Sequence, residues 1–232
     1  MPEGDVVWRT ARRLDQALAG RALVVADLRW PDLATVDLRG RTVISVVSRG
    51  KHLLTRMSGG GSDGLTLHSH LRMDGSWHIF RPSVLPVIRS GRRPAGAPGP
   101  THAVRAVLGN TDWLAVGYSL GLLDLVPTAQ ESDLVGHLGP DLLDPGWDGD
   151  EAEARLTSDP ARPVGEALLD QRVTAGIGTF YLAETCFLTG TSPWDPVGVL
   201  PRPRAVLERA RALLMANRER VPQTTTGSTR RG

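Results

Sequence analysis

The hydrophobic period changes once along this 232-residue chain, and that change limits the folds open to it. Between residues 22 and 126 apolar side chains recur at every second position, in short runs separated by turn residues. That pattern predicts strands over 22–28, 42–47, 53–57, 65–73, 77–80, 103–108, 113–118 and 122–126. Turn clusters such as 58–64 and 109–112 separate neighbouring runs. Many short strands with such punctuation predict an antiparallel sandwich or barrel. One helix precedes them: Val7, Ala11, Leu14 and Leu18 share a face, acids sit at its start, and Gly20 ends it.

After Pro127 the spacing becomes helical. Helices are predicted near 129–137, 150–156, 164–170, 179–188 and 203–217. The chain therefore reads as α+β, with an N-terminal helix and antiparallel strands in a domain over 1–126 and an all-helical domain over 127–232. Residues 82–101, rich in Pro, Gly and Arg, read as a long mobile loop.

Several classes are excluded. No apolar run reaches 18 residues, so no membrane span is expected. The Met1-Pro2-Glu3-Gly4-Asp5 start lacks the basic and apolar stretches of a signal peptide. A single cysteine, Cys186, rules out an internal disulfide and a cysteine metal cluster, and reads as a buried small hydrophobe. A cytoplasmic protein follows from these features.

Net charge is only +2, yet its distribution is uneven. Residues 1–116 carry +7, residues 117–201 carry −11 and residues 202–232 carry +6. Two basic blocks around an acidic one suit a polyanion partner, and solvated helix faces would give the same pattern. The cations comprise 26 arginines and one lysine, Lys51. An ammonium can give up its proton in chemistry and a guanidinium cannot, so amine chemistry would concentrate at Lys51. Gly50, just before it, lets backbone approach a ligand closely.

The N-terminus offers a second amine. Removal of Met1 would leave Pro2 as a secondary amine able to attack an aldehyde carbon and form an iminium, with Glu3 beside it to move protons. Many chains begin Met-Pro, so the pair carries meaning only in company. His68 and His70 share a strand face and suit either a hydrogen-bonded structural role or, with a third ligand, a metal. Met73, beside Arg72 at a strand end, fits either a core filler or a wedge that occupies the space of an extruded base. Gly176-Ile177-Gly178-Thr179 precedes a helix whose N-terminal amides could take a phosphate, or it is a tight turn between packed helices. The tail, with Thr226 and Arg230, could line a phosphate backbone or end in disorder.

Together these segments resemble the formamidopyrimidine-DNA glycosylase/endonuclease VIII family, in particular its actinobacterial endonuclease VIII-like branch. The matching stretches are residues 1–5, Ser48-Arg49-Gly50-Lys51-His52-Leu53, His68-Ser69-His70-Leu71-Arg72-Met73-Asp74-Gly75, His137-Leu138-Gly139-Pro140-Asp141-Leu142 and Glu166-Ala167-Leu168-Leu169-Asp170-Gln171, in order along nearly the whole chain. The resemblance implies an N-terminal helix and β-sandwich followed by a helix–two-turn–helix domain, with damaged double-stranded DNA as partner and a monomer as the working form. It implies base excision followed by β,δ-elimination at the abasic site. Pro2 would be the Schiff-base nucleophile, Glu3 the proton donor and acceptor, and Lys51 a phosphate contact that assists elimination. Met73 would fill the gap left by the flipped nucleotide, with Arg72, Gly178, Thr179, Thr226 and Arg230 on the DNA. The Met-Pro-Glu-Gly start, and the lack of an Arg-Phe pair around Tyr118-Ser119-Leu120-Gly121, point to oxidised pyrimidines.

Two departures from the family pattern stand out. Thr179 occupies the place of an asparagine whose amide donates to the lesion phosphate, and losing one such bond costs on the order of 1.5–3 kcal/mol. The family continues past its Thr-Thr-Gly tail into a four-cysteine zinc finger, whereas this sequence stops at Gly232 and has no ligands for that zinc. An alternative reading of the same fold is a damaged-DNA-binding remnant without catalysis.

Overall fold

The computed structural model describes residues 2–58, 64–81, 100–220 and 223–225. Most of the predicted 82–101 loop, and both Thr226 and Arg230, lie outside the described residues. The chain divides into two compact units. The first takes 1–2, 10–48 and 52–134, and the second takes 3–9, 49–51 and 135–232. Two short segments from the N-terminal half, 3–9 and 49–51, therefore belong with the helices.

The first unit holds most of helix α1 (Gly4–Leu18) and eight strands: β1 (Val25–Leu28), β2 (Thr42–Arg49), β3 (His52–Ser58), β4 (Leu65–His70), β5 (Ser76–Phe80), β6 (Val104–Gly109), β7 (Leu114–Tyr118) and β8 (Leu122–Pro127). They form two four-stranded sheets, ordered β1-β6-β7-β5 and β2-β3-β4-β8. Pairing is antiparallel, as between His52 and His70 on β3 and β4 and between His68 and Asp124 on β4 and β8. All five positions of β7 are buried, and Leu53 and Leu54 on β3 are both buried, so these inner strands are covered on both faces.

The apolar stripe of α1 faces inward, with Val7, Ala11, Leu14 and Leu18 all buried. Its second half is tied to both sheets. The Asp15 carboxylate accepts the Val46 N–H at 2.7 Å, and the Asn110 amide donates to the Ala17 carbonyl at 2.8 Å. Helix α2 (Glu131–Val135) follows β8 and is shorter than the predicted 129–137 because residues 128–130 form a 3-10 turn and Gly136 follows. Arg56 of β3 forms a two-pronged pair with Glu131 at 2.8 and 2.6 Å.

Two strand limits differ from the sequence reading by three residues each, and the others by two at most. β1 begins at Val25, because Ala22 makes only an isolated bridge to Thr42. β4 ends at His70, because Arg72 turns into the left-handed region at φ 49°. The histidine holds that turn: its Nδ1 accepts the Arg72 N–H at 2.9 Å.

The second unit is built on α3 (Gly149–Thr157), α4 (Val164–Leu169), α5 (Thr179–Thr189) and α6 (Pro203–Asn217). Asp148 caps α3 by accepting the Glu151 N–H at 2.9 Å. Leu142, Leu156, Leu168, Tyr181, Leu207 and Leu214 form its core. Turns over 170–178 join α4 to α5, so the two helices and the turns between them occupy the place predicted for the helix–two-turn–helix element. Among the described residues no helix is long and apolar enough to cross a membrane.

Candidate active site

The N-terminal segment brings a carboxylate to the start of α5. Glu3 is fully buried, and its side chain accepts the N–H of Gly178 at 2.7 Å, of Phe180 at 2.8 Å and of Tyr181 at 3.3 Å. These amides have no intrahelical partner, and the positive end of the helix dipole favours an anion among them. The preceding Gly176 has φ +109°, which side-chain-bearing residues avoid, and its carbonyl accepts the Gly4 N–H at 2.9 Å. Gln171 braces the turn from within. Its Oε1 accepts the Gly176 N–H at 3.0 Å, and its Nε2 donates to the carbonyls of Leu169 and Ile177 at 2.9 Å each.

The Gly178 amide, read from sequence as a phosphate donor, is thus engaged by the chain's own Glu3. Thr179 is exposed at the first position of α5.

The β2–β3 turn is fixed by a second carboxylate. Asp141, buried, accepts the N–H of Gly50 at 2.7 Å and of Leu143 at 2.9 Å. Burial holds its carboxyl above the ordinary range, while the two N–H donors and the Arg49 charge oppose that rise. Arg49 donates to the Gly139 carbonyl at 3.3 Å and pairs with Asp144 at 3.5 Å. Gly50, at φ +57°, takes the turn past Ala175, whose methyl would meet a Cβ there at 3.0 Å. Lys51 follows, half-buried. Burial lowers its ammonium from the ordinary 10.5, and the negative charge of Glu3 opposes the shift.

Of the predicted site residues, the second unit therefore gathers Glu3, Lys51, Gly178 and Thr179. Pro2, one peptide bond before Glu3, is half-buried and clusters with the first unit, as do Arg72 and Met73. Met73 is 62% exposed, which removes its reading as core filler. Cys186 is buried in α5, as predicted.

The histidine pair gains a third member that the sequence reading passed over. His52 Nδ1 lies 2.8 Å from His68 Nε2, its ring stacks on His68 at 5.0 Å, and it meets His70 edge-on at 4.9 Å. The cross-strand register of β3 and β4 was the signal that sequence lacked. Asp141 and Gln171 were also without an assigned role, although both lie in matched segments. An aspartate after Gly-Pro and a glutamine just ahead of Gly-x-Gly were the available hints.

No group of three or more His, Cys, Asp or Glu among the described residues could hold a metal ion. Cys186, the single cysteine in this sequence, does not fit a four-cysteine zinc centre.

Comparison with known proteins fixes the class. Residues 1–116 match the formamidopyrimidine-DNA glycosylase N-terminal domain, and the chain belongs to that family. Its similarity to named relatives extends further. It is 56% identical to "Probable endonuclease 8 2" of Streptomyces coelicolor, over 98% of this chain and 78% of the relative. It is 45% identical to "DNA-(apurinic or apyrimidinic site) lyase Nei2" of Mycolicibacterium smegmatis, over the whole of this chain and 84% of the relative. In fold it resembles Lactococcus lactis formamidopyrimidine-DNA glycosylase bound non-covalently to DNA containing an abasic site. The TM-score is 0.73 at 20% identity, covering 93% of this chain and 80% of the other.

Proposed function

We propose that this chain is a base-excision DNA glycosylase that also cleaves the strand at the resulting abasic site, with oxidised pyrimidines in duplex DNA as substrates. The observation that carries the reading is Glu3, buried on the α5 amides with its charge acting on Lys51, one residue after a proline whose nitrogen becomes a secondary amine once Met1 is removed. A glycosylase/lyase needs an amine, a proton carrier and a cation, and Pro2, Glu3 and Lys51 would fill those roles. The names of the two bacterial relatives support the same assignment.

In this mechanism the Pro2 nitrogen attacks C1′ of the damaged nucleotide, and the glycosidic bond breaks with its electron pair on the departing base. Glu3 takes the proton that the attacking Pro2 nitrogen releases and passes it to the sugar ring oxygen, which opens the ring and leaves an iminium. Loss of the C2′ proton then expels the 3′ phosphate, and a second elimination expels the 5′ phosphate. Water finally releases Pro2 from the sugar fragment. Lys51 would neutralise a lesion phosphate during elimination. The exposed Met73, on its left-handed turn beside Arg72, would fill the space of the extruded nucleotide. Thr179, next to Gly178, would give its hydroxyl to the phosphate backbone, and Thr226 and Arg230 would extend that grip. The protein would act as a cytoplasmic monomer on DNA.

The test is incubation with end-labelled duplexes carrying one oxidised pyrimidine or one abasic site. Strand products ending in phosphate on both sides of the gap support the assignment. Binding to both duplexes without cleavage would replace it with a damage-binding role.

A further inference from the structure

The N-terminal segment is held from a second side by the end of the chain. Asp5, in the first turn of α1, is fully buried, a costly position for a carboxylate without donors. Its donor comes from 218 residues away: Gln223 Nε2 reaches both carboxylate oxygens, at 3.1 and 2.9 Å. The next residue is fixed as well. Asn217, buried at the end of α6, accepts the Thr224 N–H at 2.8 Å and donates to the Thr224 carbonyl at 2.9 Å. Arg9 donates to the carbonyls of Asn217 and Arg220, and Arg218 lies over the Trp8 ring at 4.7 Å. The Tyr181 side chain, fully buried, closes the cluster. Its hydroxyl is raised above its ordinary range by burial and by the Asp5 charge, so it stays neutral beside that carboxylate.

Tyr181 also gives its N–H to Glu3. Residues 3–9 are thus clamped at one side by the start of α5, through Glu3 and Gly4, and at the other by the end of α6 and the segment 223–225. With the second clamp gone, the segment could pivot about Glu3 and Gly4, and Pro2 would move with it. We propose that Asp5 is a positioning residue: with Asn217 it latches Gln223 and Thr224 onto the first turn of α1, and this latch sets the stance of Pro2 and Glu3.

This role rests on the lyase reading above for its catalytic consequence, but the latch itself has an independent readout. The experiment compares Gln223→Ala, Asp5→Asn and the double variant with the parent protein, using borohydride trapping on an abasic-site duplex and amide hydrogen exchange. Because Gln223 is half-buried, its truncation leaves the buried core intact even if Asp5→Asn folds poorly. A misplacement of about 1 Å can cost up to about 100-fold in rate, so a roughly tenfold slower trapping at saturating duplex is expected for Gln223→Ala. The dissociation constant should stay within about twofold, which separates placement of the amine from grip on the DNA. Exchange at residues 178–181 should speed up, and the double variant should be no slower than Asp5→Asn alone.

Weaker binding with an unchanged saturated trapping rate would overturn the proposal, since 223–225 would then serve only to hold DNA. A lowered melting temperature with trapping and exchange unchanged would overturn it too. If the parent protein forms no adduct, the lyase reading fails instead. Exchange then decides the latch: faster exchange in Gln223→Ala supports it, and unchanged exchange ends it.

Discussion

Glu3 and Gly178 leave no room between them: the carboxylate accepts the glycine N–H at 2.7 Å, and a Cβ on residue 178 would stand 2.5–2.8 Å from the Glu3 side chain. The glycine is therefore required by the carboxylate's position, since its extended backbone at φ −127° would admit any residue. Gly178→Ala should push Glu3 off the helix amides and cut base excision at least roughly tenfold, while removing on the order of 1–3 kcal/mol of stability from the orphaned donors. Single-turnover excision and urea unfolding check the two effects. A variant with parental activity would show that Glu3 works from elsewhere.

Lys51 is the only lysine, so its titration can be followed without overlap from other lysines. Burial depresses its ammonium below 10.5, with Glu3 opposing. After reductive methylation with labelled formaldehyde, the dimethyl-lysine signal should titrate below the ordinary lysine range. Glu3→Gln should lower the midpoint further. The folded state binds this proton less readily than the unfolded chain, so the penalty is greatest at neutral pH. Stability should recover as pH rises from the depressed midpoint towards 10.5.

Asp141 titrates with the opposite sign. Burial raises its carboxyl, so its contribution to stability is complete below the unfolded value of 3.8 and declines as pH rises through the folded value. Asp141→Asn keeps this position neutral at every pH, as the protonated carboxyl is, so its stability should match the parent most closely in acid. The melting temperature of the parent should fall relative to that of the variant as pH rises through the folded value of Asp141. Strand cleavage should slow as well, because the Gly50–Lys51 turn loses its anchor. A pH-independent difference would contradict the assignment.

Thr179 stands exposed at the head of α5, where an amide side chain reaches further than a hydroxyl. Thr179→Asn should tighten binding to an abasic-site duplex by roughly three- to tenfold, within the value of one hydrogen bond to a charged acceptor. Fluorescence anisotropy at fixed salt measures this. An unchanged affinity would place the phosphate elsewhere.

The strands and helices were legible because their periods are local. Val7, Ala11, Leu14 and Leu18 announce α1 within fifteen residues, and every predicted strand run coincides with a strand. The Gly-x-Gly turn was legible as an anion site for the same reason. Its occupant was not, because Glu3 precedes it by 175 residues. Asp5 and Gln223 were hidden in the same way, being 218 residues apart with no shared pattern. The His52–His68 contact depends on a register between β3 and β4 that no single strand encodes. Contacts that join distant segments depend on packing, and hydrophobic period does not report them.

Covalent trapping locates the amine that performs the proposed chemistry. An abasic-site duplex is incubated with the protein and borohydride, the adduct is digested, and the modified peptide is located by mass. One sugar-linked adduct is expected on the N-terminal peptide at Pro2, and Lys51→Ala should retain it. An adduct at Lys51, or none under conditions where the duplex is bound, would contradict the role of Pro2.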